Sequence, residues 1–272
     1  MVCDDVIAFP PYRKARFARY VGIDYSGAET VEAYLPGLRA YTATPTAMPA
    51  EVKPPYSSSR YWTRKALAHW LEDFLGRNEP VIVGIDHGFS FPLKYFQKYR
   101  LARDWERFLE DFQAHWPTRE KNTYVDFIRE NVVGNGAARK GNSRWRRLTD
   151  VRAGSKSVFH FDVPGSVAKA TFCGLPWLLH LRRQLRERLH FWPFDGWEIP
   201  PGKSVVTEIY PSLWKADYPL EERTPDQRDA HNIAAWLRDR DITGTLDPFF
   251  QPVLDQREVK IAAIEGWILG IR

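Results

Sequence analysis

Short apolar runs that end in an acid occur twice in this chain, at residues 20–24 and 81–86. The second run, Val81-Ile-Val-Gly-Ile-Asp86, has no alternation of polar and apolar residues, which is typical of a strand buried on both faces. The first run repeats this pattern and ends at Asp24. We therefore expect two central strands that are neighbours in one sheet and carry Asp24 and Asp86 at the same end.

Two further patterns predict strands. Residues 30–35 and 38–44 flank Pro36-Gly37, and this arrangement predicts a hairpin. Residues 203–210 predict a strand that carries Glu208 and is closed by Pro211.

Helical patterns alternate with these strands. Between residues 67 and 75 apolar side chains recur at i, i+3, i+4, i+7 and i+8, and Gly76 is placed to end the helix. Thr224 and Gln227 have the positions of a capping box, with Pro225 at the first helical position. Other helical patterns cover residues 105–112, 165–189 and 261–268. Strands alternating with helices indicate an α/β fold.

Length and composition favour one large domain. The chain has 272 residues, of which 44% are hydrophobic and 14% aromatic, which is ample for a core. We expect an N-terminal arm at residues 1–19 and a single domain over residues 20–272. No apolar run is long enough for a transmembrane helix, and the N-terminus lacks a signal-peptide pattern. Cys3 and Cys173 cannot form a disulfide framework. These features predict a cytoplasmic protein with no membrane partner.

The net charge of +5 points toward an anionic partner. Residues 134–156 are rich in Gly, Asn and Ser, contain one acid, Asp150, and predict a weakly ordered basic loop. A nucleic-acid-binding flap is one interpretation, with Trp145 stacking on bases; a solvated excursion is the other. The candidate nucleic-acid-binding residues of this loop are Arg139, Lys140, Arg144, Arg146, Arg147, Arg152 and Lys156.

Four acids have positions that suggest chemistry. Asp24 and Asp86 end buried strands, Glu208 lies inside a strand, and Asp229 lies on the apolar face of its helix, four residues before Ile233. Buried carboxylates that converge would repel one another unless a cation neutralised them. Oxygen ligands suit Mg²⁺ or Mn²⁺, and two such ions about 4 Å apart can hydrolyse a phosphodiester.

Each of these residues also has a simpler interpretation. Asp24 and Asp86 could be turn or cap residues, Glu208 could pair with a core arginine, and the helix dipole alone favours Asp229. His231 is a candidate for proton transfer at the edge of the site, although a packed or surface histidine is the more common case. The set of four acids is more specific than any one of them.

Four short motifs, in this order, resemble a known family: GID at 22–24, GID at 84–86, EIYP at 208–211 and RDA at 228–230. Together with WPFDGW at 192–197 and EGWILG at 265–270, they are similar to the family designated domain of unknown function 429, whose members are predicted RNase H-like nucleases. The resemblance runs from about residue 20 to the C-terminus.

This resemblance implies an RNase H-like fold, in which a three-stranded antiparallel meander is followed by strands alternating with helices in a mixed sheet with helices on both faces. It also implies that Asp24, Asp86, Glu208 and Asp229 correspond to the family's presumed catalytic metal site. Because a fold does not fix a function, family membership leaves the activity open.

The leading hypothesis is a metal-dependent nuclease that uses Mg²⁺ or Mn²⁺ on DNA or RNA. A second hypothesis is an ATP-binding phosphotransferase or ATPase of the actin and sugar-kinase type, because residues 24–27 and 86–90 faintly resemble its phosphate loops. Those enzymes duplicate the fold across two lobes, whereas we expect both segments here in one sheet. A third hypothesis is a non-catalytic nucleic-acid-binding protein with the same fold.

Overall fold

A computed structural model describes residues 15–26, 29–55 and 57–272. Most of the predicted N-terminal arm therefore lies outside the described residues. The described part of the chain forms one six-stranded sheet with α-helices around it. The strands are β1 (Arg19–Tyr25), β2 (Leu38–Ala43), β3 (Ala50–Glu51), β4 (Val81–Asp86), β5 (Leu189–Trp192) and β6 (Ser204–Glu208). The helices are α1 (Arg64–Leu75), α2 (Leu93–Tyr99), α3 (Trp105–His115), α4 (Val125–Arg129), α5 (Leu148–Ala153), α6 (Ala168–Leu185), α7 (Pro225–Ile242) and α8 (Gln256–Glu265).

The sheet is mixed and has the strand order β3-β2-β1-β4-β6-β5. β1, β2 and β3 are antiparallel neighbours, whereas β4 and β6 continue parallel to β1 and β5 runs parallel to β6. In the β1–β4 pair, Asp24 lies directly opposite Asp86. The prediction that these two strands are neighbours with their acids at the same end is confirmed.

The predicted hairpin at residues 30–44 is wrong. β2 pairs with β1, and residues 30–35 form no strand, although Leu35 makes an isolated antiparallel bridge with Trp62. Val31 and Leu35 are buried in the core, so their apolar character reflects packing rather than strand pairing. The third strand of the meander is the short β3, which the sequence pattern did not indicate.

Helices cover both faces of the sheet, as the alternation of side chains along β1 shows. Val21 and Ile23 belong to the core that α1, α3 and α6 complete. Tyr20, two residues before Gly22, belongs to a second core that contains Ile233 and Trp236 of α7. Because successive strand residues point to opposite faces, Gly22 and Asp24 lie on the face covered by α7.

Two glycines allow α7 to lie close to the sheet. Gly22 and Gly84 are directly opposite each other on β1 and β4. A Cβ atom at Gly22 would lie 2.1 Å from the carbonyl oxygen of Ala230, and one at Gly84 would lie 2.7 Å from Cγ2 of Ile233. No side chain larger than hydrogen fits there without moving the helix.

The start of α7 is fixed by the predicted capping box. Thr224 accepts a hydrogen bond from the backbone N–H of Gln227, and the Gln227 side chain accepts one from the N–H of Thr224. α1 likewise ends at Gly76 as expected. Among the described helices, none combines the length and the apolarity that crossing a membrane requires.

Candidate active site

Asp24 and Asp86 form the centre of the candidate site, at the carboxyl ends of β1 and β4. Asp24 is 4% exposed, and its Oδ1 accepts a hydrogen bond of 2.9 Å from the backbone N–H of Ser26. Asp86 is partly buried on the neighbouring strand. The parallel register therefore brings together two carboxylates that are 62 residues apart in the sequence.

The first turns of α7 add two more acids. Asp229 lies there as predicted, with its carboxylate 3.5 Å from Nζ of Lys215 and 3.4 Å from Nε of Arg228. Asp226, one helical turn earlier, was not singled out from the sequence, although its i, i+3 spacing from Asp229 places both on one helix face. Both aspartates raise the pKa of Asp24, so the helix presents its acids to the strand ends.

Three acids of this site have raised pKa values. Burial, together with the charges of Asp226 and Asp229, raises the pKa of Asp24 to about 7, although the hydrogen bond from Ser26 opposes this increase. Burial also raises the pKa of Asp86 well above its ordinary range, and repulsion from Asp24, Asp229 and Glu208 adds to it. The pKa of Asp226 is raised mainly by burial as well. A cluster of this kind is stabilised either by protons or by a bound cation.

The negative charge and the oxygen ligands of these acids suit a hard divalent cation, but their carboxylates do not converge on one position. Among the described residues, no three of these acids bring carboxylate oxygens within 4.8 Å of one another. Ligation would need side-chain movements or intervening water, and Mg²⁺ usually keeps several waters in its coordination shell.

Glu208 makes contacts of a different kind. Strand alternation turns it toward the face opposite Asp24, since its register partner on β4 is the core residue Ile85. Both of its carboxylate oxygens bind the guanidinium of Arg147, at 2.5 and 2.6 Å, and one also accepts the N–H of Phe89 at 3.0 Å. These contacts agree with the alternative interpretation, in which Glu208 pairs with a core arginine.

Arg147 is therefore not a surface residue, contrary to its predicted role in binding nucleic acid. Its side chain is 1% exposed and also pairs with Asp150, at 2.8 Å. Three charges buried together in this way are tolerated because each is satisfied by the others. This buried group anchors the basic segment to the sheet.

The rest of residues 134–156 is not an open loop, because it contains a 3₁₀ helix at Gly136–Arg139 and then α5. Arg139 pairs with Asp111, and Arg152 pairs with Glu258. Four cations of the segment are exposed and have no carboxylate partner within the described ranges: Lys140, Arg144, Arg146 and Lys156. The predicted basic surface is thus reduced from seven residues to four.

Lys156 is the member of this set that shares a cavity with two of the acids. It lines a small cavity together with Asp86, Glu208 and Tyr210. His87, which the sequence pattern did not indicate, lines the same cavity. Burial lowers the pKa of His87 to about 4, so its imidazole is neutral and its Nδ1 donates to the carbonyl of Gly88 at 2.9 Å.

His231 does not join the acids. It is buried, its ring packs edge-on against Tyr41 with the centroids 5.7 Å apart, and its Nδ1 lies 3.3 Å from Oδ1 of Asn232. Burial lowers its pKa, and the charged residues that influence it are Arg223, Glu221 and Asp239 rather than the acids of the site. These surroundings agree with the interpretation of His231 as a packed histidine.

Asp24 and Asp229 lie close enough to Asp86 for their charges to raise its pKa, and a divalent cation held among these acids would lower the pKa of a bound water. Comparison with profiles of known protein families, with curated proteins and with solved structures found no match for this chain.

Proposed function

We propose that this chain is a nuclease that hydrolyses phosphodiester bonds of DNA or RNA with Mg²⁺ or Mn²⁺ held by Asp24, Asp86 and Asp229. The observation that carries the proposal is the register of β1 and β4, which sets Asp24 directly opposite Asp86 under the first turns of α7. Oxygen-only ligands favour hard cations over zinc or copper.

The side chains around the acids have separate tasks in this proposal. A bound divalent cation would activate a water and stabilise the leaving oxygen. Asp226 adds negative charge beside Asp24, and the Ser26 N–H holds the Asp24 carboxylate in place. Lys156, exposed at the cavity beside Asp86, would contact a phosphate of the substrate. Arg147 neutralises Glu208, so that this acid adds less repulsion.

The strand order supports an RNase H-like interpretation of the fold. An antiparallel meander of β1, β2 and β3, followed by β4 and β6 parallel to β1, is the arrangement that the family resemblance implies. β5 extends this sheet by one edge strand beyond β6. The helices on both faces are also consistent with it.

The same geometry counts against the two-lobed ATPase interpretation. The segments that begin at Asp24 and Asp86 follow neighbouring strands of one sheet, whereas phosphate loops of the actin type belong to separate lobes. ATP hydrolysis is therefore assayed beside oligonucleotide cleavage as a competing outcome.

The test is cleavage of end-labelled DNA and RNA oligonucleotides in millimolar Mn²⁺. We expect the wild type to cleave at least one of them and chelation to stop it. Asp86→Asn and Asp229→Asn should each lose the activity, since either change removes a ligand charge. Asp73→Asn, the same change at an exposed position of α1, should cleave like the wild type.

Two results would contradict the proposal. One is cleavage by Asp86→Asn and Asp229→Asn at the wild-type rate. The other is a wild type that binds the oligonucleotides without cleaving them, which would indicate a non-catalytic nucleic-acid-binding protein. Hydrolysis of ATP in place of nucleic acid would indicate the phosphotransferase group.

A further inference from the structure

A second cluster of potential ligands lies on the opposite side of the sheet, where α1 packs beside α6. His69 and Glu72 occupy positions i and i+3 on α1, and His180 lies on α6. Nε2 of His180 is 2.9 Å from Oε2 of Glu72, and Nδ1 of His69 is 3.5 Å from the same oxygen. One ligand atom from each of the three residues lies within 4.8 Å of the others.

These separations are close to those of an occupied metal site. Zinc bonds of about 2.0–2.1 Å in a tetrahedron place ligand atoms about 3.3 Å apart. The two contacts to Glu72, at 2.9 and 3.5 Å, lie on either side of this spacing, and the two imidazole nitrogens lie within 4.8 Å of each other. Among the described residues, this is the one group of three ligands that meets such a distance limit.

His180 is held in position by its neighbours. Its Nε2 donates a hydrogen bond to the Glu72 carboxylate, so an ion bound between them would take the place of that proton. The side chain of His180 is 6% exposed and its place is fixed by the edge-on contact with Trp177, at 5.6 Å between ring centroids.

The surroundings also indicate which ion would bind. Arg119 lies over the ring of Trp177, at 4.9 Å from its centroid, and its positive charge disfavours any cation held by charge alone. Two imidazole nitrogens with one carboxylate favour zinc and its neighbours in the first transition row over magnesium or calcium. The side chain of His69 is 52% exposed, which leaves the remaining coordination positions open to water.

We propose that His69, Glu72 and His180 form a binding site for a transition-metal ion of the zinc type, which links α1 to α6. The site is separate from the proposed carboxylate centre and differs from it in ligand chemistry. Metal binding at this site does not require that the chain be a nuclease.

The test measures Zn²⁺ binding by the full-length chain at a fixed temperature, in competition with a chromogenic chelator. In millimolar Mg²⁺, which competes for the proposed carboxylate centre, we expect one tightly bound Zn²⁺ per chain, with an affinity that does not depend on the Mg²⁺ concentration. His69→Gln and His180→Gln should each weaken the affinity by about tenfold or more, the order of loss seen even for outer-shell partners. His69→Gln is the safer variant, because its side chain is half exposed and its loss should not disturb the core.

His115→Gln is the matched control. His115 also has a carboxylate neighbour on its own helix, Asp111, at 3.7 Å, but the pair lacks a third ligand. Its loss should leave Zn²⁺ affinity unchanged. In millimolar Mg²⁺, Asp86→Asn should keep the tightly bound Zn²⁺ of the wild type, so a failure of the carboxylate site would not be confused with a failure of this one.

Two outcomes would overturn the proposal. The first is an absence of Zn²⁺ binding by the wild type, or an affinity that His69→Gln leaves unchanged. The second concerns Co²⁺, which should give visible d–d bands without a sulfur-to-metal charge-transfer band. A strong charge-transfer band would assign the metal to a cysteine thiolate instead.

Discussion

Replacing Asp24 with asparagine should stabilise the metal-free protein while abolishing its response to Mn²⁺. Asparagine keeps the size of the side chain and can still accept the hydrogen bond from Ser26 N–H. What it removes is a charge that is buried, at 4% exposure, beside Asp86, Asp226 and Asp229. Removing one member of a group of repelling acids relieves the others as well.

The size of the effect follows from the raised pKa of Asp24. Below pH 3.8 both the folded and the unfolded chain hold the proton, and the shift has no effect on stability. Between pH 4 and 7 the unfolded chain releases its proton while the folded protein retains it, so stability falls as the pH rises. The increase of the Asp24 pKa from 3.8 to about 7 corresponds to about 4 kcal/mol of folding stability, and this stability is fully lost above pH 7. At roughly 2 °C per kcal/mol, Asp24→Asn should raise the Tm at pH 8 by up to about 8 °C.

The assay is thermal unfolding of the wild type and the variant at pH 5 and pH 8, with EDTA or with millimolar Mn²⁺. In EDTA, the Tm of the wild type should fall between pH 5 and pH 8 more steeply than that of the variant. With Mn²⁺ the wild type should gain about 2.7 kcal/mol at one hundred times the dissociation constant, and the variant much less. Asp73→Asn, exposed on α1, should behave like the wild type.

The reasoning would be refuted by a variant no more stable than the wild type in EDTA at pH 8. It would equally be refuted by a variant that keeps the full Mn²⁺ response. Asparagine caps about as well as aspartate, so a simple turn or cap role for Asp24 predicts both of these results.

Two further predictions concern the segment of residues 134–156. Arg147→Met should lower the free energy of unfolding in urea by about 3–5 kcal/mol, because it leaves Glu208 charged and buried without its partner. Arg144→Met, at an exposed position, should change this free energy by less than about 0.5 kcal/mol. Equal effects of the two variants would contradict the buried role of Arg147. Lys156→Ala should reduce the magnitude of the slope of log affinity against log salt concentration, for a duplex oligonucleotide, by about 0.9. Lys94→Ala, at another exposed position, should leave this slope unchanged. An unchanged slope for Lys156→Ala would exclude its contact with phosphate.

The parts of the fold that sequence predicted well are those specified by neighbouring residues. The capping box at Thr224 involves residues three apart, and its hydrogen bonds form as expected. The adjacency of Asp24 and Asp86 followed from two runs of the same apolar type, because strands buried on both faces belong in the middle of a sheet. Asp226 could have been found by the same local rule, since it lies one helical turn before Asp229.

The features that the sequence did not predict depend on contacts between distant residues. Arg147 lies in a segment rich in Gly, Asn and Ser, where nothing local distinguishes it from its exposed neighbours, and its partner Glu208 is 61 residues away. The face to which Glu208 points depends on its register with β4, which no local pattern encodes. His180 and Glu72 are 108 residues apart on two helices, so their ligand geometry appears only after packing.

The glycines of β1 and β4 have a consequence for ion selectivity. Gly22 and Gly84 set the distance between α7 and the sheet, and in the proposed centre Asp229 stands on the helix while Asp24 and Asp86 stand on the strands. Mg²⁺ requires bonds of about 2.0–2.1 Å and Ca²⁺ bonds of about 2.3–2.6 Å, so a fraction of an ångström in this spacing discriminates between them. In the proposed centre, Gly22 and Gly84 would thus act as the spacer that sets which size of ion the three aspartates could share.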